Sequence, residues 1–138
     1  MSFLEKPAKG CVFCNLQAET DGPENLIVHR DVHAFVLLNR YPYTAGHLLV
    51  VANAHLATLE ELAPEARQEM MELATSCMRL LRRIYEPDGF NLGANIGEAA
   101  GAGVAGHVHL HIVPRWTGDA NFMLTTAETK VIPEALEE

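Results

Sequence analysis

Polar and apolar residues alternate strictly over residues 107–112. Histidine occupies positions 107, 109 and 111, with valine, leucine and isoleucine between and after them. Because successive side chains of a β-strand point to opposite faces, this pattern predicts a strand with three imidazoles on one face and an apolar face behind them. Imidazole is the side chain that titrates near neutral pH, so a row of three favours a phosphate or metal site over an ordinary solvated face.

Apolar runs elsewhere in the chain predict four more strands and one long helix. The strand candidates cover 25–30, 32–39, 47–52 and 90–96. The run over 47–52 is almost continuously apolar, which indicates a central strand covered on both faces. Thr58 and Glu61 match a capping box that opens a short helical turn.

The long helix is predicted to begin at Pro64, a first-turn position that proline tolerates, and to end at Pro87–Gly89. Its apolar residues recur at helical spacing. They are Ala66, Met70, Leu73, Ala74, Cys77, Leu81 and Ile84. Because the strands are joined mainly by short turns, we expect one α+β domain over 1–138. It would be an antiparallel sheet of about five strands with the helix packed on it.

Charge and hydropathy narrow the possible partners. The chain has 18 acidic and 10 basic residues and a net charge of −8, which disfavours nucleic acid and anionic membrane surfaces. No apolar run approaches the ~18–20 residues that span a bilayer. The segment 1–6 lacks the pattern of a signal peptide, so we expect a cytoplasmic protein.

Two of the three cysteines, Cys11 and Cys14, have the spacing of a metal knuckle. A tetrahedral zinc site needs two further ligands, and His55 and His107 are the best donors, which predicts a Cys2His2 site. A reduced or redox-active pair without metal is the alternative. Cys77 lies on the apolar stripe of the long helix and is expected in the core.

The central histidine, His109, is the candidate nucleophile. A neutral imidazole can attack phosphorus and form a covalent intermediate, and flanking histidines can hold its tautomer or donate to phosphate oxygens. The glycine-rich segment 97–103 would let backbone amides approach an anion, although a simple turn has the same composition.

The segment His-Val-His-Leu-His-Ile-Val resembles the histidine triad (HIT) superfamily of nucleotide hydrolases and transferases. Residues 38–51 are similar to the family's ribose-side strand and loop, and residues 91–95 to its phosphate-side segment. Residues 114–122 resemble the branch that acts on dinucleoside polyphosphates, particularly bacterial diadenosine tetraphosphate phosphorylases.

This resemblance implies a HIT-like fold and a role for each candidate. His109 would form a nucleotidyl intermediate, His111 would contact the phosphate and assist the leaving group, and His47 would support the triad. Asn39 would lie near the ribose and Asn95 near the phosphates. The resemblance also implies zinc on Cys11, Cys14, His55 and His107, and a homodimer formed through the long helix or a sheet edge.

One position departs from the related fragile-histidine-triad branch, which has glutamine where this chain has Gly103. Gly103 remains a candidate substrate-binding position, but the missing side chain favours a phosphorylase, or an enzyme with a different leaving-group preference, over a simple hydrolase. The sequence leaves hydrolysis and phosphorolysis of a dinucleoside polyphosphate open. A purine nucleoside phosphoramidase and a slow nucleotide-binding adaptor or sensor are the other hypotheses.

Overall fold

The computed structural model describes residues 10–19, 26–39, 45–104 and 106–119, and these form one antiparallel sheet with helices on both faces. The strands are β1 (Ile27–Arg30), β2 (Ala34–Leu38), β3 (Leu48–Ala52), β4 (Gly89–Gly93) and β5 (His109–Arg115). Their order in the sheet is β1-β2-β3-β5-β4, with every pair antiparallel. The predicted α+β architecture of five antiparallel strands is confirmed.

The central strand, β3, is buried along its whole length, as its continuous apolar run predicts. One face of the sheet packs on the long helix α2 (Pro64–Tyr85), and Val50, Leu110 and Ile112 belong to this core. Residues of opposite parity, such as Leu49 and Val51, face a second apolar cluster. The alternation along each strand therefore gives the sheet two different faces. One packs on α2, and the other carries the histidines.

Helix α2 begins at Pro64, as predicted, and ends with Glu86 in the left-handed conformation. Five of its predicted core residues are buried, and Leu73 is partly buried against the same cluster. Cys77 lies in this core as expected. Ile84, on the same apolar stripe, is 58% exposed in the last turn, whereas Leu81 is buried and Tyr85 packs against the core. No helix among the described residues is long and apolar enough to cross a membrane.

A second helix, α1 (Val12–Ala18), covers the histidine face and was not predicted. It has seven residues, too few to be stable alone, so packing must hold it in place. Phe13 is its buried residue. At its C-terminal end, the Arg30 guanidinium donates to the carbonyl oxygens of Gln17 and Glu19, at 2.8 and 2.7 Å. These bonds satisfy carbonyls that have no partner within the helix.

Several strand boundaries differ from the predicted ones. β2 begins at Ala34 instead of residue 32. β5 begins at His109 instead of His107, because the His107 amide donates to Val104 in a turn. It continues through Pro114 to Arg115, where it pairs with β4 alone and a proline is tolerated at the resulting edge. β4 ends at Gly93 instead of residue 96.

The predicted short turn is present as a 3-10 helix over Leu59–Glu61, but the capping box is not formed. The Thr58 hydroxyl donates to the carboxylate of Glu60 and accepts no hydrogen bond from the backbone amides of the turn. A three-residue turn does not place Glu61 where a longer helix would place the partner of the cap.

Candidate functional site

Strand parity brings four of the predicted site residues to one face of the sheet. His109 and His111 alternate with the core residues of β5, and Leu49 of β3 is paired with His111. His47 precedes β3 in phase with Leu49, and Asn39 follows β2 in phase with Leu37. The site is therefore assembled from the ends of two neighbouring strands, β2 and β3, and the first residues of a third, β5.

Gly46 lets the chain enter β3 in the position that places His47. Its φ is +80°, a conformation that L side chains rarely adopt. A Cβ atom there would lie 3.0 Å from the Tyr85 ring, 3.1 Å from Leu81 and 3.2 Å from Pro114. The close approach of this turn to the end of α2 therefore requires glycine.

The three triad histidines share one face, but that face is not solvated. His107 is 0% exposed and His109 is 6% exposed, while His111 is half-buried. Phe13 of α1 packs edge-on against the His107 and His109 rings, with centroid distances of 5.6 and 4.7 Å. The histidines therefore form a buried polar row beneath a helix.

The hydrogen bonding of His109 defines its tautomer. Its Nδ1 lies 2.9 Å from the carbonyl oxygen of His107, which can only accept a hydrogen bond. Nδ1 therefore carries the proton in the neutral ring, and the lone pair resides on Nε2. A neutral imidazole with its lone pair on Nε2 is the form that can attack an electrophile.

Asn39, His47 and His111 form a hydrogen-bonded chain that determines a second tautomer. Asn39 Nδ2 donates to His47 Nδ1 at 3.0 Å. His47 Nε2 must then carry a proton, which it donates to His111 Nδ1 at 3.0 Å. His111 consequently keeps its own proton on Nε2, where it can be donated to a ligand.

Burial keeps these histidines neutral near pH 7. It lowers the pKa of His109 and of His111, and the neighbouring His109 lowers that of His111 further. The pKa of His47 falls to about 4, because the ring is desolvated and lies beside His111 and His109. The site therefore holds three neutral imidazoles with defined proton positions.

The depressed pKa of His47 predicts a loss of stability in acid. The unfolded chain binds a proton near pH 6.5 and the folded protein only near pH 4, so stability falls as the pH drops through that window. The full effect of this group is about 3 kcal/mol, from roughly 1.4 kcal/mol per pH unit. We expect thermal melts from pH 7 to pH 4.5 to show a shallower decline for His47→Gln than for the wild type. Parallel slopes would contradict the assignment.

A cavity of about 430 Å³ lies beside the histidine row. Its apolar lining includes Phe13, Leu16, Leu37, Leu38, Leu49 and Val104. Its polar lining comes from Asn39, His47, His109, His111 and Asn95. Gly101 and Gly103 of the predicted glycine-rich loop also border it, so the cavity brings together every candidate catalytic and substrate-binding residue.

A second cluster lies at the other end of the histidine row, where Cys11, Cys14, His55 and His107 meet. Their ligand atoms all lie within 4.8 Å of one another, and four of the separations are between 3.2 and 3.4 Å. The edges of a tetrahedral zinc site measure about 3.3–3.8 Å, given metal–ligand bonds of roughly 2.0–2.3 Å. These four residues could therefore hold a metal ion, as the sequence predicts.

The surroundings of the cluster suit a metal ion. His107 Nε2 donates to the Ala52 carbonyl oxygen at 2.6 Å, so the lone pair on Nδ1 points toward the cysteines. Burial and the adjacent Cys11 thiol raise the pKa of Cys14 to about 12. A bound cation would stabilise the thiolate and so lower the pKa of Cys14. Metal binding should therefore release protons and weaken in acid.

Phe13 and Leu16, which line the site, and Arg30, which holds α1 in place, are not among the residues predicted from the sequence. Phe13 lies between the two cysteines, and the metal motif by itself gives it no packing role. Phe13 and Leu16 are three residues apart and share one helix face, which was the available signal for α1. Arg30, which holds the far end of α1, gave no signal, because its partners are backbone carbonyls.

The fold and this arrangement of histidines define a histidine triad protein. The sequence profile of the HIT domain matches residues 20–118, most of the chain. "Protein hit" of Bacillus subtilis is 34% identical over 109 residues, which cover 79% of this chain and 73% of that protein. The chain therefore belongs to the HIT family.

Two further proteins resemble it in sequence or in structure. An AP-4-A phosphorylase of Mycobacterium tuberculosis is 41% identical over 115 residues, which cover 83% of this chain and 59% of the phosphorylase. The chain thus matches little more than half the length of that relative. A Zn-bound histidine triad family protein from Mycobacterium smegmatis superposes with a TM-score of 0.70 at 28% identity, over 94% of this chain and 95% of that one.

Proposed function

We propose that this protein is an enzyme that cleaves dinucleoside polyphosphates through a nucleotidyl intermediate on His109. The observation that carries the proposal is the bond from His109 Nδ1 to the His107 carbonyl oxygen, which leaves a lone pair on Nε2 of a neutral ring beside the cavity. The likeness to an AP-4-A phosphorylase supports diadenosine tetraphosphate as a substrate.

In the first step, His109 Nε2 attacks the α-phosphorus and a P–N bond forms. The P–O bond to the remainder of the substrate breaks, and the leaving oxygen takes the electron pair. Positive charge develops on the His109 ring. The His107 carbonyl oxygen stabilises this charge, because it accepts the hydrogen bond from Nδ1–H. The step needs no prior deprotonation, because the depressed pKa keeps the ring neutral.

His111 supports departure of the leaving group. Its Nε2–H, defined by the chain from Asn39 through His47, can donate to the bridging or leaving oxygen. In the second step an acceptor attacks the phosphorus, and the P–N electron pair returns to His109 Nε2. His111 can then form a hydrogen bond with the oxygen of the acceptor.

The cavity has an apolar lining and a polar lining, which suit the base and the phosphates of a nucleotide. The apolar side chains near Phe13, Leu16 and Leu37 can enclose a base, while Asn95 and the loop with Gly101 and Gly103 can face phosphates. Gly101 has a φ of +92°, so its backbone can turn toward an anion in a way that L residues rarely allow. Asn39 lines the cavity too, in reach of a ribose.

Gly103 bears on the choice of acceptor. A Cβ atom at this position would meet no atom within 4 Å, so the loop leaves open space at the rim of the cavity. That space can admit inorganic phosphate as well as water, so both acceptors fit. The name of the tuberculosis relative supports phosphorolysis.

Product analysis tests the proposal. Chromatography after incubation with diadenosine tetraphosphate should show ADP and ATP that depend on added inorganic phosphate. AMP and ATP without phosphate would identify a hydrolase, with water in place of phosphate as the acceptor. Absence of turnover under both conditions would contradict the proposed function and leave phosphoramidate cleavage or simple nucleotide binding as the remaining hypotheses.

Asn39→Asp should reverse the proton order of the chain to His111. The new carboxylate would accept a hydrogen bond from His47 Nδ1–H, and the lone pair of His47 Nε2 would then accept one from His111 Nδ1–H. His111 Nε2 would consequently carry a lone pair instead of a proton. We expect kcat to fall about 10- to 100-fold, in the range of lost general-acid or orienting interactions. The matched control is Asn91→Asp, which preserves the oxygen that accepts from Arg115 outside the cavity. Equal kcat values for the two variants would refute the assigned tautomers.

We propose zinc as the ion of the cysteine–histidine cluster. Its two thiols and two imidazoles match the ligand preference of zinc, and the Zn-bound relative from Mycobacterium smegmatis supports the choice. All four protein ligands together would close a tetrahedral site, so the ion would be structural. A reducing compartment such as the cytoplasm suits the free thiols of Cys11 and Cys14.

We also propose a homodimer formed by the side of the molecule that carries β4 and the end of α2. Leu80 and Ile84 of α2, with Leu92 and Ile96 near β4, are apolar side chains between 38% and 58% exposed. Arg82 lies 5.1 Å from the centroid of the Phe90 ring, which joins the helix end to this edge of the sheet. Light scattering of the purified protein tests the dimer, and a monomeric mass at micromolar concentration would refute it.

A further inference from the structure

His107 belongs to both clusters at once. Its imidazole Nδ1 lies 3.3 Å from Cys11 Sγ and 3.4 Å from Cys14 Sγ, while its carbonyl oxygen accepts the Nδ1 proton of His109 at 2.9 Å. Its Nε2 is held by the Ala52 carbonyl oxygen of β3. One residue thus connects the cysteines directly to the atom that defines the tautomer of His109.

Phe13 provides a second connection. It stands between Cys11 and Cys14 on α1, and its ring packs edge-on against the rings of His107 and His109. The cysteines hold one end of α1 against the sheet, and Arg30 holds the other. Because α1 has only seven residues, the position of Phe13 depends on these anchors.

We propose that His107 and Phe13 are positioning residues that couple metal binding at the cysteine–histidine cluster to the catalytic competence of His109. With the four ligands gathered on an ion, the His107 carbonyl and the Phe13 ring lie where they hold His109 in the Nδ1–H tautomer and restrict its ring. The effect on turnover rests on the proposed function; the effect on the His109 ring does not.

The physical reason is the small energy difference between imidazole tautomers. A neutral imidazole can carry its proton on either nitrogen, and the hydrogen bond made by one nitrogen decides which form is present. When the four ligands are no longer held together, the His107 ring and its carbonyl gain freedom, and the Nε2–H form of His109 becomes populated. That form has no lone pair at the reacting nitrogen.

The direct test is 15N NMR of the histidine side chains at a constant pH of 7.5. We would compare zinc-loaded protein with protein stripped by a chelator, and assign His109 from the spectrum of His109→Gln. The loaded protein should show His109 as a single Nδ1–H tautomer, and the stripped protein should show averaged nitrogen shifts. In parallel, kcat should fall about 10- to 100-fold on stripping, the range of lost second-layer contacts, while the KM changes less than threefold.

A variant that retains the metal separates an effect on the position of His109 from a general loss of stability. It also tests the coupling if the stripped protein unfolds. Phe13→Leu keeps an apolar side chain under α1 but removes the ring edge that contacts His109. We expect it to bind zinc stoichiometrically and yet to show averaged His109 shifts and a lower kcat. Leu16→Ala is the matched control, because it lies on the same helix and lines the same cavity without a ring contact to His109.

The outcomes are separable. An unchanged His109 tautomer in folded stripped protein, or in zinc-loaded Phe13→Leu, overturns the coupling. A tautomer change equal in Phe13→Leu and Leu16→Ala overturns the role of the Phe13 ring. A metal-dependent tautomer in a protein that turns over no dinucleoside polyphosphate supports the coupling and refutes the proposed function.

Discussion

His109→Gln should abolish turnover while leaving nucleotide binding largely intact. The substitution removes the only atom in the proposed mechanism that forms a bond to phosphorus, whereas the apolar lining of the cavity is unchanged. We expect kcat to fall by about 10⁴-fold or more, the scale seen when a catalytic nucleophile is deleted. Initial rates with diadenosine tetraphosphate and calorimetric binding of AMP would measure the two effects separately.

The matched control for this variant is His29→Gln. His29 is an exposed histidine on β1, apart from the histidine row. It should retain full kcat and the wild-type melting temperature. A His109→Gln protein that keeps more than about a hundredth of the wild-type kcat would contradict covalent catalysis by this residue.

Cys14→Ser should empty the metal site and lower the melting temperature. A hydroxyl is a weak zinc ligand, so the variant loses the free energy that ion binding adds to the folded state, about 4 kcal/mol at a thousandfold excess over the Kd. For a domain of this size we expect a decrease of roughly 10 °C or more. Zinc content by atomic emission and a calorimetric melt would measure both.

Cys77→Ala is the control for cysteine loss, because Cys77 lies in the core beneath α2 on the opposite face of the sheet. It should cost some packing energy but keep one zinc ion per chain. Stoichiometric zinc in Cys14→Ser, or an unchanged melting temperature on chelation, would show that the cluster does not act as a metal site.

The sheet and α2 could be predicted because their patterns are long and regular. The five strands follow apolar runs and alternations, and the central position of β3 follows from a run buried on both faces. Helix α1 could not be predicted with the same ease. It is one and a half to two turns long, and tertiary anchors, not its own sequence, hold it on the sheet.

In the candidate site, too, local sequence patterns predicted some features, while contacts between distant parts of the chain determine the others. Period-two alternation correctly placed His107, His109 and His111 on one face, but it could not reveal that a helix buries that face. The bond from Asn39 to His47 depends on how β2 and β3 are paired, which no local pattern states. The metal cluster could be predicted because thiol and imidazole chemistry limits the possible ligands.

The most direct measurement for the central claim is mass spectrometry of the protein during turnover. The enzyme would be mixed with diadenosine tetraphosphate without added phosphate, quenched in alkali to preserve a P–N bond, and digested for peptide mapping. The mechanism predicts one adenylyl group on His109, absent from His109→Gln and rapidly lost when phosphate is added. Turnover with no adduct on His109, or with an adduct on another residue, would contradict the account.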